Sequence, residues 1–230
     1  MTPDRPEPDS AVAGGRTKPL RRDAARNRQR ILEAAADLFR QRGRSASLND
    51  IAHHAGVGVG TVYRHFPDRD RLIDGLFEQR FEELVAHMAE ALADPDPWHG
   101  LTSFTRAAAD LQADDRGIKD LLTGGHVGLE RITRLRARLM PMGEELVRRA
   151  HESGDLRPDI EAADMPLIQG ILGLLIDASG EIEPQLYRRY LDIMIRGIAA
   201  DPDREPPIAG PAPELDRVDQ IMFNANRTRR

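Results

Sequence analysis

The sequence SLNDIAHHAGVGVGTVYRHF, residues 47–66, has the spacing of two short helices that cross at a tight glycine turn. Ser47 can cap the first helix, and Asp50, three residues later, can serve as its capping-box partner. Gly56 stands where that helix must stop, because glycine enters the left-handed conformation at little cost. The segment therefore predicts a helix-turn-helix in which Val62 of the second helix faces the core.

Helical periodicity continues on both sides of this segment. Upstream, residues 23–43 repeat apolar side chains with the period of a buried helix face and end on a glycine. Downstream, Pro67 ends the second short helix, and a long helix that runs to about Leu92 follows. These helices predict a three-helix head that is joined to a long connecting helix.

Two alternatives compete with the helix-turn-helix as a functional motif. The glycines at 56, 58 and 60 suggest a phosphate-binding loop, but no β-branched strand precedes them and no Gly-Lys-Ser/Thr follows. An ordinary helix corner is the second alternative, since this geometry also occurs in proteins that never touch DNA. The distribution of charge argues against an ordinary helix corner. The chain carries a formal net charge of −5, yet residues 16–72 hold thirteen Lys and Arg against six Asp and Glu.

The order ILEAAADLFRQRG, SLNDIAHHAGVGVGTVYRHF and PDRDRLIDGLF resembles the tetracycline-repressor (TetR) family of bacterial transcriptional regulators over roughly residues 24–84. The resemblance implies a DNA-binding domain at 24–84 with its helix-turn-helix motif at 47–66. With the outward face of the second helix, it gives these candidate DNA contacts: Arg44, Ser47, Val59, Thr61, Tyr63, Arg64, His65 and Arg69. Gly58 and Val59 replace the usual polar residues, so contact at that point is expected to be with a thymine methyl or absent.

Composition favours an all-α fold, because aromatic residues make up only 4%, Ala, Leu, Arg and Glu dominate, and alternating strand patterns are missing. The absence of cysteine excludes disulfides and Cys-based zinc sites. The seven histidines lack ligand spacing, and no Ser-His-Asp arrangement stands in a recognisable context, so no enzyme, metal site or cofactor is expected. No apolar run suits a signal peptide or membrane span, and a cytoplasmic location is expected.

The chain is expected to have four segments. Residues 1–22 should be a disordered basic arm, which either lies along DNA or is a solvated tail. Residues 24–84 should form the DNA-binding domain, and residues 85–200 a helical bundle for ligand binding and dimerisation. Within the bundle, Pro141 is expected to kink or divide a long helix. Residues 201–230 are rich in proline and are expected to be a flexible tail.

Apolar side chains along the C-terminal helices are candidates to line a pocket, which methionine would make adaptable. They are Phe81, Leu84, Met88, Phe104, Leu111, Met140, Met142 and Ile171, together with Leu122 and Leu146. Plain core packing is the alternative for each of them. The last two apolar helices offer more surface than one core is expected to cover. A dimer interface is therefore predicted at Ile168, Leu172, Leu175, Tyr187, Leu191 and Met194, and the same apolar surfaces include Ile171, Ile176 and Ile198.

The sequence thus predicts a homodimeric, sequence-specific transcriptional regulator, most simply a repressor. Its two recognition helices would enter successive major grooves of a near-palindromic operator. A small-molecule effector bound between the helices would lower the affinity for DNA. The alternative is a constitutive architectural or dimerisation protein that binds DNA without an effector. A pocket whose ligand changes the affinity for DNA would separate the two.

Overall fold

The computed structural model describes residues 17–42, 46–114 and 129–227, which are mostly helical. The α-helices are α1 (Thr17–Arg42), α2 (Leu48–Ala55), α3 (Val59–His65), α4 (Arg69–Ala93), α5 (Pro97–Asp114), α6 (Leu129–Glu152), α7 (Asp164–Ser179), α8 (Leu186–Ile198) and α9 (Leu215–Arg227). The described ranges contain no β-strand, and their only extended pairing is an isolated antiparallel bridge between Leu156 and Ala199. The predicted all-α fold is confirmed.

The chain divides into two compact units, one up to Gly75 and one from Leu76. The division falls inside α4, N-terminal to the domain boundary expected at residues 84 and 85. Each unit has its own set of buried apolar side chains.

The first unit packs α1, α2 and α3 around apolar side chains that recur at helical spacing. Fully or nearly fully buried are Ile31, Leu32, Ala35, Leu38, Ile51, Ala52, Val62, Phe66 and Leu72. Helix α1 begins at Thr17, earlier than its predicted start at Asp23. Pro19 is tolerated there because the N–H groups of a first helical turn have no partner within the helix. Residues 17–22 are therefore helical rather than a disordered arm, and residues 1–16 lie outside the described ranges.

Hydrogen bonds fix both ends of α2. The Ser47 hydroxyl accepts from the N–H of Asp50 at 3.2 Å, and the Asp50 carboxylate accepts from the N–H of Ser47 at 2.9 Å. This is the capping box that the sequence predicts. At the other end, Gly56 adopts a left-handed φ of 62°, and its N–H bonds to the last carbonyls of the helix. The predicted stop at Gly56 is confirmed.

In the second unit, α5 packs against α6, α7 and α8. One core cluster joins α5 to α7 and α8 through Ala109, Leu172, Tyr187, Leu191 and Ile195. A second cluster, which includes Met88, Leu101, Leu146 and Ala150, joins α4, α5 and α6. These contacts hold α4, α5, α6 and α7 around the cavity described below.

Helix α6 runs without interruption past Pro141. Of the two effects expected of this proline, division of the helix does not occur. Pro141 is exposed, and so is Ala137, whose carbonyl loses the partner that proline cannot supply. Because that carbonyl lies on an exposed side of the helix, water can bond to it, and the cost of the proline is reduced.

The segment expected to be a flexible tail instead contacts the rest of the second unit as far as Ala225. Arg196 donates hydrogen bonds to the carbonyls of Pro202, Glu205 and Pro206. Helix α9 follows, and its Ile221 is only 6% exposed because it packs against Ala178 of α7 and Leu186 of α8. The expectation was wrong because a proline-rich stretch can be ordered when side chains elsewhere bond to its carbonyls.

Candidate functional sites

Helix α3 is held by one buried face and presents the other face to solvent. Val62 is fully buried, and Phe66, just past the end of the helix, is 3% exposed. On the opposite side, Val59 is 44% exposed and Tyr63 is 47% exposed. Arg64 is also exposed and makes no ion pair with any described acidic residue. This face can offer an apolar contact, a phenol and a free guanidinium to a partner.

Thr61 and His65 complete the candidate face of α3, and both are half-buried. Gly60 leaves open space on the same helix, since a Cβ there would meet nothing within 4 Å. No side chain projects from α3 at Gly60, and a DNA backbone or base edge can therefore approach the helix closely there.

The other predicted contacts are less available than the side chains of α3. The hydroxyl of Ser47 is used in its cap, where it also donates to the Asp50 carboxylate at 2.6 Å. The guanidinium of Arg69 lies 5.4 Å from the centre of the Phe39 ring, and its Nη2 is buried without a partner among the described residues. This geometry favours packing by Arg69, and its contact with phosphate stays a prediction. Arg44 lies outside the described ranges.

Two arginines of α1 that were not predicted as site residues support the turn. Arg30 Nη2 donates to the carbonyl of Ala55 at 2.7 Å, directly before the left-handed Gly56. Arg28 lies 5.4 Å from the centre of the Phe66 ring at the end of α3. Both contacts join residues far apart in sequence, so helical periodicity carries no signal for them.

Burial lowers the pKa of His65 below its ordinary value of 6.5, and the positive charges of Arg64 and Arg28 lower it further. The imidazole is therefore mostly neutral near pH 7 in the free protein. Because the folded state disfavours the protonated form, His65 contributes stability above pH 6.5, and this stability is lost as the pH falls through the lowered pKa.

Nearby phosphates would favour the protonated form of His65, so we expect DNA binding to be coupled to uptake of a proton. The affinity for duplex DNA should increase as the pH falls from about 8 to about 6, and His65→Gln should flatten this dependence. Fluorescence anisotropy with a labelled duplex at constant ionic strength measures both profiles. Parallel profiles for wild type and variant would contradict a place for His65 near phosphate.

The second unit contains a cavity of about 160 Å³ between α4, α5, α6 and the N-terminal part of α7. Most of its wall is apolar. Predicted pocket residues that line it are Leu84, Met88, Phe104, Met140 and Leu146. The polar wall residues are Thr105, Gln169, Arg136 and Glu144, none of which was predicted from the sequence.

The remaining predicted pocket residues lie elsewhere. Phe81 and Leu111 do not line the cavity but pack against three of its wall residues, Leu84, Ala108 and Leu135. Met142 packs in the core cluster beside the cavity. Ile171 is 53% exposed on the outside of α7, so its assignment to the pocket was wrong. Leu122 lies outside the described ranges.

Both units of the chain are similar to parts of known proteins. The profile of bacterial regulatory proteins of the tetR family matches residues 31–76, and the C-terminal domain of SbtR-like transcriptional regulators matches residues 96–200. The chain has 32% sequence identity to a TetR transcription regulatory protein from Mycobacterium vanbaalenii, and comparison with the crystal structure of that protein gives a TM-score of 0.62. The similarity covers 79% of this chain and 99% of that one. The chain belongs to the TetR family.

Two further TetR-like proteins extend the comparison. A TetR transcriptional regulator from Streptomyces coelicolor is 29% identical with a TM-score of 0.59, over 75% of this chain and 98% of that one. An HTH-type transcriptional regulator of Staphylococcus aureus is 38% identical over an alignment of 112 residues, and the match covers 46% of this chain. The chain spans 59% of the length of such curated relatives. Members of the TetR family are DNA-binding regulators and not enzymes.

Metal binding and membrane insertion find no support in the described part of this TetR-family chain. Its residues contain no cluster of three or more His, Cys, Asp or Glu side chains that could hold a metal ion. Among the same residues, no helix combines the length and the apolar character needed to cross a bilayer.

The predicted dimer residues of this TetR-family chain mostly form its own core. Leu172, Tyr187 and Leu191 are at most 2% exposed within the single chain, so they cannot contact a partner, and the prediction for them was wrong. Ile168, Leu175 and Met194 are half-buried against the same cluster. The apolar side chains that α7 and α8 do expose are Leu167, Leu174 and Ile193, together with Ile171, which the sequence also placed on this surface.

Proposed function

We propose that this chain is a homodimeric transcriptional repressor that binds a near-palindromic DNA operator through α3 and leaves it when a small molecule occupies the cavity. We place it in the cytoplasm, where a bacterial operator lies. The observation that carries the proposal is the outward face of α3, which is anchored by buried Val62 and exposes Val59, Tyr63 and Arg64.

The α3 face is suited to the major groove. Arg64 and Tyr63 can bond to phosphates or base edges, and Val59 can contact a thymine methyl. The basic charge between residues 16 and 72 adds a sequence-independent attraction to DNA. In a two-fold dimer, the two α3 helices would read half-sites about 34–36 Å apart.

For the dimer, we propose the exposed apolar face of α7 and α8 in place of the predicted residues that are buried. Leu167, Ile171 and Leu174 follow one another at i, i+4 and i+7, which forms a continuous stripe on α7. A Cβ on Gly170 of α7 or Gly197 of α8 would meet nothing within 4 Å, so a partner helix can approach closely at either glycine. An isologous contact of such faces yields a four-helix interface.

An effector can release the operator only if it binds the two states of the dimer with different affinities. The cavity is suited to this role because it lies between packed helices, whose positions a ligand can alter. Helix α4, whose Leu84 and Met88 line the cavity, begins at Arg69 directly after the helix-turn-helix. We propose that a change in α4 carries the effect of the ligand.

A cavity-filling variant tests this role. Gly143 lines the cavity, and a Cβ on it would lie 4.0 Å from the Met88 methyl carbon, which is an ordinary contact. Gly143→Leu should therefore fill the cavity and also favour the helix. We expect the effector response to be abolished while the operator affinity without effector changes by less than about threefold. Operator dissociation constants with and without an effector found by ligand screening would decide.

Ala137→Leu, an exposed change on the same helix, is the matched control and should retain the response. If Gly143→Leu and wild type respond alike, the effector site lies elsewhere. If no small molecule changes the operator affinity of the wild type, the architectural alternative replaces the repressor.

A further inference from the structure

We infer that the cavity of the second unit selects a neutral molecule that is built on one aromatic ring and carries a hydroxyl group. This inference names the ligand class of the proposed effector site and rests on the proposed function only for the effect on DNA. It follows from the size of the cavity, the chemistry of its apolar wall and the orientation of two buried amides.

The size of the cavity sets the size of the ligand. An apolar cavity of about 150 Å³ lined by aliphatic and aromatic side chains is known to bind benzene. The present cavity of about 160 Å³ is nearly the same size. A single six-membered ring with a small substituent therefore fits.

The side chains of the wall favour an aromatic ring over a saturated one. Three methionines, Met88, Met140 and Met165, line the cavity together with Phe104. Sulfur contacts the edges of aromatic rings favourably, and two aromatic rings attract each other in offset or edge-to-face arrangements. A saturated ring of equal size would have the same burial without these contacts.

The orientation of the polar wall follows from a backbone carbonyl. Gln169 Nε2 donates to the carbonyl of Thr105 at 2.8 Å, and Gln112 Nε2 donates to Gln169 Oε1 at 2.6 Å. A carbonyl oxygen can only accept, so Gln169 must direct its NH₂ group towards Thr105, and Gln112 must then direct its NH₂ group towards Gln169. Both amides are more than nine-tenths buried.

At the cavity wall, this arrangement leaves one donor and one acceptor for a ligand. Gln112 Oε1 is also buried without a partner among the described residues, but Gln112 does not line the cavity. The Gln169 NH₂ group has a second N–H, which no described residue accepts. The Thr105 hydroxyl donates to the carbonyl of Leu101 at 2.7 Å and keeps its acceptor capacity. Both residues line the cavity. A hydroxyl group accepts and donates at once, so a single ligand hydroxyl can use both, whereas a carbonyl oxygen can use only the donor.

The charges at the cavity favour a neutral ligand. Its two charged wall residues, Arg136 and Glu144, are both exposed and have opposite signs. The buried part of the described wall, Thr105 and Gln169 included, carries no charge. An ionised group placed there would lose its hydration without gaining a buried counter-charge.

Calorimetric titration of the full chain with four one-ring probes tests the inference. Toluene lacks the hydroxyl of phenol, cyclohexanol lacks its aromatic ring, and benzoate adds a charge. We expect phenol to bind about tenfold more tightly than toluene or cyclohexanol, and benzoate to show no binding. Gly143→Leu should abolish phenol binding, which would place the site in the cavity.

Substitution of Gln169 by methionine removes the amide at similar volume. Gln169→Met should lower phenol affinity about tenfold and leave toluene affinity unchanged. Because this variant leaves Gln112 without its acceptor, the double variant Gln112→Met/Gln169→Met serves as a second test with no orphaned amide. Arg134→Ala, an exposed change on α6, is the control and should bind phenol as the wild type does.

The inference is overturned if phenol and toluene bind equally, or if Gln169→Met leaves their ratio unchanged. It is also overturned if benzoate binds most tightly and Arg136→Ala abolishes that binding. Operator titrations distinguish the ligand class inferred here from the proposed effector role of the cavity. Phenol that binds as expected without any change in operator affinity would sustain this inference and contradict the effector role. Operator release by another molecule, with no binding of phenol, would support the effector role and contradict this inference.

Discussion

Replacement of Arg64 by glutamate is expected to lower operator affinity at least about 100-fold. Loss of one arginine contact to DNA costs about 1–3 kcal/mol, and an introduced carboxylate adds repulsion from the phosphates. Arg64 is exposed on α3 and has no acidic partner among the described residues, so its replacement should leave the fold intact. Anisotropy titrations on an operator selected from a random duplex library, with circular dichroism to confirm folding, would measure the effect.

Arg134→Glu is the matched control, because it makes the same charge change at an exposed position of the second unit. Its operator affinity should remain within about threefold of wild type, since net charge alone acts weakly at moderate salt. Salt titrations add a second readout. If Arg64 contacts phosphate, the slope of log affinity against log salt should become shallower by at least about one unit for Arg64→Glu only. Equal losses in both variants would contradict the assignment of α3 as the recognition helix.

The first unit could be predicted from sequence because its signals are local. Ser47 and Asp50 are three residues apart, and the capping box they form requires no distant partner. Gly56 carries its own conformational preference, and the observed φ of 62° agrees with it. By contrast, the support that Arg30 gives to Ala55 spans 25 residues and has no local pattern. Local chemistry therefore predicted the motif but not the contacts that support it.

The second unit was harder to predict because apolar residues surround much of α7. In PLIQGILGLLIDASG, leucine and isoleucine occur on nearly every side, so helical periodicity could not say which side faces the core. Leu172 was predicted at the dimer interface and is fully buried within the chain, whereas Leu174, two positions later, is 62% exposed. Only the packing of α5, α8 and α9 against α7 distinguishes them.

The polar wall of the cavity also depends on tertiary structure. Gln112 and Gln169 are 57 positions apart, and neither belongs to a sequence motif that indicates a binding site. Each would ordinarily be assigned to a solvated helix face. Their mutual hydrogen bond, and the carbonyl of Thr105 that orients it, exist only because α5 and α7 pack together. Sequence indicated that a pocket should exist and named five wall residues, but the polar groups that select a ligand became visible only in the folded chain.

The second large effect is expected at the exposed leucines of α7. Leu167→Glu/Leu174→Glu should shift the protein from dimer to monomer, raising the dimer dissociation constant at least about 100-fold. Each leucine removed from an apolar interface costs roughly 1.5–3 kcal/mol, and two-fold symmetry doubles the number removed. Both side chains are more than 60% exposed in the single chain, so the monomer should remain folded. Leu191→Glu, at a buried position, should instead unfold the second unit.

Sedimentation velocity over a range of protein concentrations would measure this shift, and circular dichroism would confirm that the helical content is unchanged. Leu215→Glu is the control, because Leu215 is 82% exposed on α9, outside the proposed interface. A monomeric double variant should also lose most of its operator affinity, since the two half-sites would then be bound independently. If the double variant remains dimeric while Leu215→Glu dissociates, α9 rather than the α7 stripe holds the dimer together. If both variants remain dimeric, neither surface is the interface.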